Sequence, residues 1–177
     1  MGTNRRAQIE MTAEEVSAYV ATRRTATLVS LGLEGHPHAV AMWFAVIDGV
    51  LWFETKAKAQ KAVNIRRDSR VTVLIEDGLT YDALRGVSME GRAEIVDDPA
   101  ALWAVGVNVW ERYHGPYREE VKPLVEFMLH KRVAVRVDVE RVRSWDHRKL
   151  GMAPMPLGGS TAAHYPQSAA HSSEELS

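Results

Sequence analysis

The feature that most constrains this chain is an Asp-Gly pair, Asp48-Gly49, set between two apolar runs. A two-residue type I′ turn needs positive φ at both central positions, so Asp-Gly between strand-like runs predicts a β-hairpin. The first run, His38 to Ile47, alternates Val40, Met42, Phe44 and Val46 with Ala39, Ala41, Trp43 and Ala45. Both faces are largely apolar, so neither is expected to be fully wet. The second run, Val50 to Glu54, is the returning strand. Lys56 to Arg67 then reads as a helix with Ala59, Ala62 and Val63 inward and Lys58, Lys61, Arg66 and Arg67 around them, ending at Asp68.

The rest of the chain reads as further strands with helices between them. Thr12 to Glu15 has the spacing of a capping box, and Val16, Tyr19 and Val20 share one helical face, which predicts a helix over 12–23. Thr25 to Leu31 turns to β-branched and small residues, and Glu34-Gly35 supplies the turn into the hairpin. Val71 to Glu76 is a strand closed by Asp77-Gly78. Within 83–96, Val87, Met89, Ala93 and Ile95 oppose Ser88, Glu90, Arg92 and Glu94, while Gly86 and Gly91 mark bends or bulges. Asp98-Pro99 starts a helix to about Tyr113, and another is expected from about Arg118 to His130. Val133, Val135, Val137 and Val139 alternate with Ala134, Arg136, Asp138 and Glu140 in a last half-buried strand. About six antiparallel strands interrupted by helices, without βαβ periodicity, predict a mainly β fold curled into a small barrel.

Composition narrows the chemistry. The 177 residues suit one domain, expected over 12–150, with a loose lead-in at 1–11 and a disordered tail at 151–177 rich in Gly, Ser, Pro and Ala. The absence of cysteine removes disulfides, thiolate catalysis and cysteine-ligated metals. Twenty-two basic residues against twenty-three acidic leave no footprint of nucleic acid or an anionic membrane as partner. With no apolar signal region near the start and no run of eighteen apolar residues, a cytoplasmic location away from the membrane is expected.

Few residues offer chemistry of their own. Thr55, Lys56, Lys58, Gln60 and Lys61 place a hydroxyl, an amide and three ammonium groups at a helix start, which suits either a phosphate cradle or a solvated helix face. Trp43 and Trp52 face each other across the hairpin in this reading, as sheet packing or as clamps for a planar ring. His36 and His38 share a strand face but lack a third ligand at metal spacing, so no metal site is expected. There is no G-x-S-x-G elbow and no triad, and no catalytic acid, base or nucleophile is assigned. Trp145 to Leu150, mixing aromatic and basic residues, reads as a ligand cover or as a cap for the barrel end.

Taken in order, Pro37, Trp43-Phe44, the Asp-Gly turn, Phe53-Glu54-Thr55, Gln60-Lys61-Ala62-Val63-Asn64, Arg70-Val71-Thr72-Val73 and Val87 through Glu94 resemble the pyridoxamine 5′-phosphate oxidase-like proteins over residues 12–143. The resemblance implies a six-stranded antiparallel split β-barrel of the FMN-binding type. It also implies a homodimer with flavin-type cofactors in two clefts between subunits. The chain lacks the oxidase's C-terminal tryptophan and Arg-His-Arg signature, and His38 stands where the oxidase has a phosphate-binding arginine. It is more similar to the branch that uses the deazaflavin coenzyme F420.

On that resemblance the cofactor phosphate falls to Thr55, Lys56, Gln60 and Lys61 with Asn64 nearby, and the ring lies along Val40 and Met42 beside Glu54. The implied activity is reduction of a small or planar unsaturated substrate by hydride from reduced F420. The cofactor brings that chemistry itself, which accounts for the missing acid, base and nucleophile. Two alternatives stand beside it: an FMN-dependent oxidoreductase, and a non-catalytic protein binding a cofactor, haem (through His36, His114 or His130) or fatty acid.

Overall fold

The Asp-Gly turn forms as expected, with φ of +52° at Asp48 and +77° at Gly49. It joins β3 (Ala45–Ile47) to β4 (Val50–Lys56), with Ala45 opposite Trp52. The computed structural model describes residues 5–165, and the expected disorder of the tail falls partly on 166–177, outside the described residues. Within 151–165 the chain is almost entirely exposed, with one short 3₁₀ turn at Ala162–His164.

The sheet has seven strands rather than the six expected. β1 is Ala26–Leu31, β2 Pro37–Met42, β5 Arg70–Asp77, β6 Arg85–Val96 and β7 Arg132–Asp146, and the spatial order is β2-β1-β5-β6-β7-β4-β3, antiparallel throughout. The extra strand arises because the predicted run His38 to Ile47 breaks at Trp43-Phe44 into β2 and β3. That break has a physical cause. The Tyr113 hydroxyl accepts from Phe44 N–H (3.1 Å) and donates to Phe44 C=O (3.3 Å), meeting the backbone needs that a ladder partner would otherwise fill.

The helices follow their caps. Thr12 and Glu15 form the reciprocal capping box of α2 (Ala13–Thr22), and Asp98 accepts from Ala100 N–H and Ala101 N–H at the start of α4 (Pro99–Tyr113). A short helix α1 (Arg5–Ile9) occupies part of the expected loose lead-in. α3 is shorter than predicted, Gln60–Arg67, because β4 runs on to Lys56 and a turn takes 57–59. α5 spans Lys122–Leu129 after a 3₁₀ turn at Glu119–Val121.

Two apolar clusters hold these elements. Inside the curled sheet, Leu28, Phe44, Phe53, Val73, Ile75, Val87, Val135 and Val137 are almost completely buried. Outside it, α4 lays Val105, Val109 and Tyr113 over Ala45 and Ala134, with Trp52 at the rim. Trp52 therefore packs under α4 and does not face Trp43, whose expected pairing across the hairpin fails once β2 and β3 part. Val139 is exposed, unlike the other three valines of its set, although it keeps their register by pairing with Gly91; the bulge at Glu90/Gly91 displaces the next residue, Glu140. Ala39 and Ala41 are exposed as well, so the outer face of β2 is wetter than its sequence suggests.

Candidate functional site at the split of the barrel

The two sheet edges define the site. β2 pairs only with β1, and Phe53 to Lys56 of β4 pair only with β7, because β3 is used up at Ala45. The edges touch through Trp43-Phe44 and part beyond it, leaving backbone donors and acceptors on both sides without ladder partners. α3 packs on β1 and β6 at the end of this split. The eight residues expected to hold the cofactor fall on three elements: Val40 and Met42 on β2, Glu54, Thr55 and Lys56 on β4, and Gln60, Lys61 and Asn64 on α3.

They contribute unequally. The Asn64 amide donates to Ser30 Oγ (3.1 Å) and accepts from Gln60 Nε2 (2.8 Å), and Ser30 lies opposite His38 in the β1–β2 register. The result is a polar chain from the helix start to the head of β2. Val40 and Met42 lie opposite Leu28 and Ala26 and are half-buried; their backbone groups bond to β1, so the groups on the free edge of β2 are those of the intervening Ala39 and Ala41. Thr55 is buried opposite Val133. Lys56 is directed elsewhere: its ammonium donates to the His130 carbonyl at 2.7 Å.

Glu54 is buried and ion-paired with Arg132, the first residue of β7. Burial pushes its carboxyl above the usual range, against the opposing pull of the Arg132 guanidinium. Burial, reinforced by the nearby Arg132, holds the Lys61 ammonium below the usual lysine range, with Glu54 opposing. Among the described residues Lys61 makes no hydrogen bond or ion pair, and two buried polar atoms at this end, Arg132 Nε and His38 Nδ1, also lack partners. α3 starts at Ala59, which has no side chain able to cap its free N–H groups. Two cations against one carboxylate, orphan N–H groups and an uncapped helix start are what a bound phosphate would complete.

Removing Arg132 tests the electrostatics. In Arg132→Met the buried Glu54 loses its counter-charge and its pKa rises further. A raised carboxyl destabilises the fold above its folded-state pKa and not below its unfolded-state value. The variant should therefore match wild type in acid denaturant titrations and lose about 2 kcal/mol or more at neutral pH. A pH-independent loss would mean that the pair contributes only packing.

Arg132, Ser30 and Tyr113 carry no signal in the linear sequence, since their partners lie far along the chain. His38 was visible as a substituted position, but its isolation behind Ser30 was not. Among the described residues no three metal-ligating side chains cluster, and no helix is long and apolar enough to cross a membrane.

An antiparallel barrel split between two edges, with a basic helix start at the opening, defines a class of cofactor-binding folds. A sequence profile of the family described as Pyridoxamine 5'-phosphate oxidase matches residues 12–146, and the chain belongs to that family. It is 30% identical over 134 residues to an F420H(2)-dependent biliverdin reductase of Mycobacterium tuberculosis, covering 73% of this chain and 85% of that protein. The crystal structure of the conserved hypothetical protein Rv2991 from Mycobacterium tuberculosis superposes with a TM-score of 0.86 at 61% identity, covering 88% of this chain and 98% of that one. A solved F420 reductase aligns with a TM-score of 0.53 at 27% identity, covering 70% of this chain and 93% of that one.

Proposed function

We propose that this protein is an F420-dependent reductase that binds the deazaflavin along the split and works as a homodimer. The observation that carries the reading is the unpartnered, half-buried Lys61 beside the uncapped start of α3. A partly desolvated cation with no hydrogen-bond partner among the described residues gains from an anionic group beside it, which the cofactor would supply. Arg132 would add its orphan Nε–H, and His38 a second polar contact from β2. Likeness to an F420H(2)-dependent biliverdin reductase favours the deazaflavin over FMN.

When bound, the reduced deazaflavin supplies a hydride to an unsaturated substrate. The chain's part is to hold and shield. Lys61 and Arg132 fix the phosphate end, with Gln60 and Asn64 bracing that end of the split. Beside Val40 and Met42, the free backbone groups of Ala39 and Ala41 offer hydrogen bonds to the edge of a flat ring. The half-buried side chains of β2 keep water from one side of the opening. Biliverdin is the first substrate to try. Loss of reduced-F420 absorbance dependent on both biliverdin and protein supports the reading, whereas turnover with FMN and not with F420 would replace the cofactor.

A further inference from the structure

The run from His38 to Ile47 is shared between two partner strands, and its backbone groups can be followed residue by residue. Gly32 N–H donates to His36 C=O (2.8 Å), and from that pair the antiparallel alternation turns His38, Val40 and Met42 toward β1. The two-residue turn at Asp48-Gly49 likewise turns Ala45 and Ile47 toward β4. Phe44 and Val46 are left facing the side that β1 would occupy, and α4 takes its place there. The Tyr113 hydroxyl bonds both backbone groups of Phe44 (3.1 and 3.3 Å), and the Asn108 amide bonds both of Val46 (3.2 and 3.3 Å). Two side chains five residues apart on a helix thus stand in for a strand. Ala39 and Ala41 face the split, where their backbone groups have no partner among the described residues.

The two caps are not equivalent. Val46 is flanked by Ala45 and Ile47, both paired with β4, so the ladder holds it even without Asn108. Phe44 follows Trp43, which belongs to neither ladder, so the Tyr113 hydroxyl fixes the point at which the chain leaves β1 for β4. Phe44 is completely buried, and without that hydroxyl its N–H and C=O recover partners only if the junction shifts, which moves the adjoining free edge of β2. The Tyr113 ring is held separately, by the Trp43 indole stacked at 4.3 Å and the Arg24 guanidinium at 5.1 Å. We propose that Tyr113 is a positioning residue for the cofactor: acting through Phe44, its hydroxyl keeps the free edge of β2 where the bound ring needs it, whereas Asn108 only closes the edge of β3. The assignment rests on the reductase reading above, in which that edge receives the deazaflavin.

The test compares Tyr113→Phe with Asn108→Ala, each of which removes two hydrogen bonds to the backbone of the same edge. Three quantities are read on the whole protein: the urea midpoint, the hydrogen-exchange rates of the Val40 and Met42 amides without ligand, and F420 affinity by fluorescence titration. Both variants should lower the urea midpoint. Only Tyr113→Phe should speed exchange at Val40 and Met42, and only it should weaken F420 binding, by about tenfold. Asn108→Ala should stay within about threefold of wild type in both. Equal losses of F420 affinity in the two variants would reduce Tyr113 to a part of the general fold and overturn the proposal. Unchanged exchange at Val40 and Met42 in Tyr113→Phe, or unchanged F420 affinity in a wild type that binds it, overturns it as well. If wild type binds no F420 while the exchange contrast between the variants holds, the positioning of the β2 edge by Tyr113 stands and the reductase reading falls.

Discussion

Lys61→Ala should weaken F420 binding about ten- to a hundredfold, the 1.5–3 kcal/mol typical of a hydrogen bond to a charged group. The same change should leave the stability of the cofactor-free protein unaltered or slightly raised, because it removes a half-buried cation that has no partner among the described residues. This opposite pair of effects separates a binding role from a structural one. The pH dependence has a definite sign. Lys61 gives up its proton more easily than an ordinary lysine, and only its charged form attracts phosphate. Affinity should therefore fall as pH rises through that lowered pKa, and Lys61→Arg, which stays charged, should abolish the alkaline fall. Fluorescence titration of cofactor across pH checks both statements. Unchanged affinity in Lys61→Ala would remove this residue from the site.

Gly91→Ala should be the most damaging small substitution in the sheet. An added Cβ would stand 2.1 Å from the Asp138 carbonyl oxygen and 3.0 Å from the Val139 Cα. Both are backbone atoms of the facing strand, so neither can swing aside. The contact falls at the bulge that sets the register of the long β6–β7 ladder, and relief would require the two strands to separate there. A loss of about 3 kcal/mol or more is expected, read as a lower urea midpoint. Gly35→Ala is the control: its φ is +81° but nothing lies within 4 Å of the added methyl, so about 1–2 kcal/mol of backbone strain is all it should cost. Equal midpoints for the two variants would contradict the close-approach account.

The parts of this fold that could be read from the sequence are those whose cause is local. Asp48-Gly49, the Thr12–Glu15 box and Asp98-Pro99 act within a few residues, and each formed where expected. The break between β2 and β3 could not be read in the same way. Trp43-Phe44 continues the alternation faithfully, and what ends the strand is a tyrosine 69 residues away. The site divides along the same line. The basic helix start was legible, but the counter-charge set by Arg132 spans 78 residues and depends on β4 lying beside β7. Lys56 illustrates the opposite error: its charge and position suggested a phosphate contact, while the strand that carries it aims the ammonium at the His130 carbonyl.

The central claim is that the split between β2 and β4 holds a deazaflavin. Parallel fluorescence titrations of the purified protein with F420 and with FMN test it most directly. The account predicts saturable binding of F420 in preference to FMN, at a single site per chain and weakened in Lys61→Ala. Binding of neither cofactor, or of FMN alone, would contradict it.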